Sequence, residues 1–189
     1  LSFDFGNAAG LNHDYVYNKA TVFFDFGNNG AGETYYFDNV SYATSSTSAY
    51  NVPSNARITF DAGDTSGYDL FSWGGQQAAV ITSDTPAGAT GAVAKVTKTD
   101  GQYDGTTIVA MGADQELISA AGSVIEMRVL SPEVGTKVRL KLENAQLAFN
   151  DPDQHAVEVD AFTTAANSWE TLSFDFGNAA GLNHDYVYN

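Results

Sequence analysis

Carboxylates make up most of the side chains able to do chemistry in this 189-residue chain: 23 Asp and Glu stand against 8 Lys and Arg, with 3 His and no Cys. Two carboxylates set about 5 Å or about 6.5–9.5 Å apart in a cleft would hydrolyse glycosidic bonds. Glu126, Glu143 and Glu158 could supply such groups, yet they sit among basic residues on what reads as an open sheet, and no motif singles one of them out. His13 and His184 occupy the same position of a duplicated stretch, and His155 begins a strand, so the histidines form no cluster. The chain has neither a Gly-rich phosphate loop nor a Gly-x-Ser-x-Gly turn, and without Cys it has no thiol nucleophile and no thiolate metal site. The expectation is a protein that is not an enzyme.

A second kind of chemistry needs flat aromatic rings beside polar groups, because sugars stack their apolar faces on rings while side chains hydrogen-bond their hydroxyls. Trp73, followed by Gly74, Gly75, Gln76 and Gln77, reads as a platform at a loop rim, and so does Tyr103, flanked by Gln102 and Asp104 in the turn from Gly101 to Gly105. Trp169 stands just ahead of a strand. Tyr15 and Tyr17, alternating with Val16, suit a neighbouring subunit as well as a ligand. The acidic run Asn150, Asp151, Pro152, Asp153 reads as a solvated loop, with a calcium site as the alternative.

The elements that must position these residues are strands. Period-2 alternation marks residues 57–61, 92–98, 105–111, 123–130, 136–144, 155–162, 169–176, 20–26 and 34–42, separated by Gly, Asn, Asp and Pro turns. This pattern predicts an all-β fold, an antiparallel two-sheet β-sandwich of about 9–11 strands. Residues 113–121 read as a loop with at most one helical turn. Arg128, Lys137, Arg139 and Lys141 fall on two consecutive strands, which puts Arg139, Lys141 and Glu143 outward on one face with Glu126, Arg128, Glu158 and Asp160. A solvated ladder of opposite charges is the favoured reading of that face, a concave ligand surface the alternative.

Length suits one domain with a full core, and 43% hydrophobic with 13% aromatic residues is too apolar for a disordered tail. A formal charge of −15 repels phosphate backbones and anionic headgroups, so neither nucleic acid nor membrane insertion is expected; no apolar run nears the roughly 20 residues a spanning helix needs. The strongest signal is a repeat: residues 1–18 and 172–189 both read LSFDFGNAAGLNHDYVYN, a period of 171 residues. The chain therefore reads as a window on a longer tandem array, the alternative being a strand segment duplicated by design. Residues 43–53, ATSSTSAYNVP, read as the inter-module linker, which makes 1–42 the C-terminal part of one module and 54–189 the N-terminal and central part of the next. On that division residues 1–42 are expected to make few contacts with 54–189 of the same chain and to pack on a neighbour instead.

The order ITFD (58–61), SWGG (72–75), RLKLEN (139–144), WETLSFDF (169–176), ATVFFDFG (20–27) and TYYFDNV (34–40) resembles the jelly-roll carbohydrate-binding modules of secreted polysaccharide hydrolases and large bacterial surface proteins. The resemblance implies a jelly roll, an extracellular or cell-surface location, Trp169 packed inside the protein, and a structural calcium between first and last strands. Its matching positions here are Asp61 and Asp38, with Asp64 as a possible third ligand; the alternative is that these aspartates only cap turns. Two non-catalytic functions follow. One is a calcium-stabilised building block of an extracellular filament or adhesin whose partners are neighbouring copies of the repeat. The other is a module that recognises a polysaccharide, with repetition supplying avidity. The repeat ranks assembly above recognition.

Overall fold

Alternation along the chain becomes two faces in the computed structural model, which describes residues 19–42, 58–61, 69–75, 77–109, 124–143, 156–176 and 179. The strands in chain order are β1 (Lys19–Phe24), β2 (Glu33–Tyr42), β3 (Asp69–Trp73), β4 (Gln77–Thr82), β5 (Val93–Lys98), β6 (Gly105–Val109), β7 (Val124–Ser131), β8 (Lys137–Glu143), β9 (Ala156–Phe162) and β10 (Ser168–Asp175). Sheet A has the order β3-β6-β1-β8-β9 and sheet B the order β10-β7-β2-β5-β4, and all pairings are antiparallel. The fold is an all-β sandwich of two five-stranded sheets, as the alternation predicts.

Inward residues interdigitate between the sheets. β8 contributes Val138, Leu140 and Leu142, β7 contributes Ile125, Met127 and Val129, and β10 contributes Leu172 and Phe174, all buried. At the centre Phe24 stacks on Tyr35 with ring centroids 4.8 Å apart, lies 6.0 Å from Phe37, and Phe37 meets Phe60 edge-on at 5.4 Å. Burial pushes the Tyr35 hydroxyl well above the usual tyrosine range, with the charges of Asp25, Glu33 and Glu133 acting in the same direction. Lys98 is also wholly buried; its ammonium donates to the carbonyls of Phe24 (2.9 Å) and Asp25 (3.0 Å), which ties the end of β1 to β5.

For residues 19–42 this arrangement corrects the expectation of few contacts with 54–189 of the same chain and packing on a neighbour instead. β1 lies in the middle of sheet A between β6 and β8, and β2 in the middle of sheet B between β7 and β5, all within one chain. The physical reason is that residues 172–176 and residues 19–42 fill different places in the two sheets. Leu172, Phe174 and Phe176 fill the place beside β7, so β1 and β2 close on the body without conflict. A bridge from Val40 to Ile58, with both amides donating to the opposite carbonyls at 2.9–3.0 Å, ties the start of the body to β2. Residues 43–53, 113–121 and 150–153, on which the linker, helical-turn and acidic-loop readings fall, lie outside the described residues, as do residues 1–18.

Two strands were not legible. β3 and β4 flank the glycines of SWGG, which read as a loop; Trp73 is in fact the last residue of β3, and Gly74 and Gly75, with φ of +94° and +90°, make the turn that follows. Of the 57–61 segment, the described residues 58–61 form only the bridge at Ile58, since Phe60 takes a φ of +57° that bends it out of a ladder.

Candidate functional site

β1, β3, β6, β8 and β9 turn one set of side chains to the core and the other to the outer face of sheet A. Register places Trp73 across from Gly105, Phe23 across from Arg139, and Arg139 across from Asp160. The next row holds Phe71, Thr107, Thr21, Lys141 and Glu158. Gly105 is required here: a Cβ would stand 2.8 Å from Cζ2 of Trp73 and 2.9 Å from Cε1 of Phe23. Its absence lets Trp73 and Phe23 meet edge-on at 5.3 Å. Phe26, just past β1, meets Phe23 edge-on at 5.2 Å and Tyr103 at 5.3 Å, so four rings from three parts of the chain form one continuous track. Phe23 is buried as its floor, while Tyr103 is 59% exposed at one end, and Phe71, 61% exposed, stands on the same strand as Trp73.

Polar groups border the track. The Trp73 indole N–H donates to Thr107 Oγ1 at 3.3 Å, and Thr107 shares a 2.9 Å hydroxyl hydrogen bond with Thr21. The guanidinium of Arg139 lies 3.8 Å from the Phe26 ring centre, donates through Nε and Nη2 to the Asp160 carboxylate, and donates through Nη1 to Glu158 at 2.7 Å. Burial on its own would push Asp160 up, but the Arg139 hydrogen bonds and the Arg139 and Lys137 charges hold its carboxyl below the ordinary value. Lys141 pairs with Glu143 at 2.7 Å and Lys137 with Asp160 at 3.7 Å. Glu143 is buried, whereas the Lys137 and Arg139 pairs are part-exposed and contribute only about 0–1 kcal/mol each; together the pairs neutralise the face.

The other half of the expected ladder lies elsewhere. Glu126 and Arg128 belong to β7 in sheet B, because residues 132–136 carry the chain from one sheet to the other instead of turning it back as a hairpin. There Arg128 donates to the Gly88 carbonyl at 2.7 Å and sits 4.7 Å from the Trp169 ring centre. Trp169 is therefore not between the sheets; it is half-buried on the outer face of sheet B, where Gly88 of the β4–β5 loop packs on it.

Of the expected sugar-facing residues, Trp73 and Tyr103 are brought together through Phe23 and Phe26. Gln102 is exposed in the turn before β6, and its carbonyl accepts the Gly27 amide at 2.9 Å. Asp104 is committed to the scaffold: it is buried, and its carboxylate fits against the backbones of Gly74 and Gly101, where any Cβ would collide with it.

The expected metal residues Asp38 and Asp61 flank the Val40–Ile58 bridge. Asp38 is wholly buried and accepts the Asn39 amide and side-chain amide at 2.7 and 2.6 Å; Asp61 accepts the Ala92 amide at 2.8 Å. Next to them Asn39 and Phe60 both have positive φ, and β2 is bulged between Asp38 and Ser41. The donors are all hard oxygens, as calcium prefers. Asp64 lies outside the described residues, among which no group of three potential ligands gathers.

Comparison with protein-family models, curated proteins and solved structures finds no match. The reading of this face thus rests on its residues alone. Sequence reasoning missed Phe23, Phe26 and Phe71. A signal for Phe23 exists: in ATVFFDF it falls between inward Val22 and Phe24, so alternation turns a large aromatic ring to the outer face, which is unusual unless something covers or binds it.

Proposed function

We propose that the chain is a non-catalytic module of an extracellular tandem array, and that the outer face of sheet A holds a polysaccharide whose sugars stack along the track from Trp73 to Tyr103. The observation that carries this reading is the continuity of the four rings beside hydroxyl and charged groups. The connection of the sheets, with sequence neighbours often in opposite sheets, also suits a jelly roll of the carbohydrate-binding kind. Because Lys137, Arg139 and Lys141 each already face a carboxylate, and the chain carries −15 overall, a neutral glycan suits the face better than an anionic one.

A spacer or assembly role is the second reading, favoured by the 18-residue identity at a period of 171. With β1 and β2 closed on their own chain, this reading is supported by the repeat and not by an exchange of residues 19–42. In either role Asp38 and Asp61 would hold calcium, which when bound adds a crosslink between β2 and the start of the body.

Retention on immobilised β-glucans, agarans and alginate tests the proposal. Trp73→Ala and Tyr103→Ala are each expected to weaken retention on the bound neutral polysaccharide about tenfold, roughly 1.4 kcal/mol for a central aromatic contact, with an unchanged fold. Absence of binding to the whole set would leave the spacer role alone.

A further inference from the structure

β10 forms the outer edge of sheet B and pairs on one side only, with β7, over eight registered positions from Ser168 opposite Ser131 to Asp175 opposite Val124. Its second half begins the duplicated segment. Leu172, Phe174 and Phe176 are 5%, 0% and 0% exposed, and they pack against the core that β7 completes. Residues 1–5 carry the same five side chains in the same order, Leu1, Ser2, Phe3, Asp4 and Phe5. Whatever makes 172–176 fit that edge is therefore encoded a second time.

Reach is not an obstacle. Thirteen residues, Gly6 to Asn18, separate Phe5 from Lys19 at the start of β1. Fully extended they span roughly 40 Å. That exceeds both the length of an eight-residue strand, about 27 Å, and the breadth of a five-stranded sheet, about 20 Å. Because both copies belong to one chain, the exchange is intramolecular and does not depend on the concentration of other chains.

We infer that the β7 edge is a strand-accepting site with two sequence-identical claimants, and that residues 1–5 of the same chain take the place of 172–176 when the resident strand is disabled. Ser168 to Thr171 stay on β7, the chain leaves the sheet at Leu172, and Leu1, Phe3 and Phe5 enter the positions of Leu172, Phe174 and Phe176. The resident copy holds the site in the intact chain because it is continuous with the first half of β10. In a run of identical units the site would give each β7 a strand from either side, which makes the junction between repeats exchangeable.

Full-length point variants test this. Phe3→Asp alone is expected to leave the thermal melt unchanged. Phe174→Asp alone puts a charge into a wholly buried position, yet is expected to keep a cooperative melt shifted down by only a few degrees, as the other copy takes over. Phe3→Asp with Phe174→Asp removes both claimants and is expected to lose the cooperative transition, a strongly non-additive result. Since the chain has no cysteine, Ser2→Cys with Glu126→Cys in the Phe174→Asp background reports the new pairing directly; Ser2 corresponds to Ser173, the register partner of Glu126. An intramolecular disulfide in a monomer is expected. The inference is overturned if Phe174→Asp melts like the double variant, if the cysteine pair stays reduced under oxidation, or if it links two chains.

Discussion

Phe37→Ala is expected to cost about 3–5 kcal/mol of stability, the usual loss when a fully enclosed phenylalanine is truncated and its cavity cannot collapse. Phe37 is 0% exposed, lies on the central strand of sheet B, and touches rings on both sides, Phe24 at 6.0 Å and Phe60 at 5.4 Å. These three rings come from β1, from β2 and from the segment after residue 57, so one truncation loosens every piece that closes the sandwich. Urea denaturation gives the comparison, and the slope of the transition should not change, since the same surface is exposed on unfolding. Phe71→Ala, at an exposed position of an edge strand, is the matched control and should move the midpoint little. A loss below about 1 kcal/mol at Phe37 would mean that the two sheets do not pack around it.

Calcium removal is expected to have the next largest effect. A ligand that binds only the folded state stabilises it by about 2.7 kcal/mol at a hundredfold excess over its dissociation constant. Asp38 and Asp61 would hold the ion beside the Val40–Ile58 bridge, so its loss would free the start of the body from β2. Excess chelator should lower the melting temperature of the intact chain, and added calcium should restore it. In Asp38→Asn the same additions should have no effect. An unchanged melt in chelator would remove the metal from the account and leave both aspartates as hydrogen-bond acceptors of Asn39 and Ala92.

Alternation made most of the strands legible, because a half-buried strand must place its apolar residues two apart. β8 is the clearest case: KVRLKLE buries Val138, Leu140 and Leu142 and turns out Arg139 and Lys141. The same alternation cannot say which strands become neighbours. Arg128 and Arg139 both point outward, but from opposite sheets, since nothing in residues 132–136 distinguishes a crossing between sheets from a hairpin before the partners are known. Glycines misled at Trp73, where they mark a turn that begins one residue later than read. Asp104 looked like a sugar-facing carboxylate because its neighbours are turn residues; its burial against Gly74 and Gly101 is a tertiary fact with no local signature. The placement of residues 19–42 is likewise a tertiary fact: alternation marks them as strands without saying which sheet, or whose, they enter.

The central claim is that β1 occupies the middle of sheet A in its own chain, where it supplies Phe23 to the aromatic track. Thr21 and Lys141 are register partners on β1 and β8, and the cysteine-free chain makes an engineered pair there unambiguous. Oxidation of Thr21→Cys with Lys141→Cys should yield a disulfide within a monomer, read by intact mass and by migration under non-reducing conditions. Disulfide-linked dimers or longer chains would place β1 in a neighbour's sheet and contradict the account.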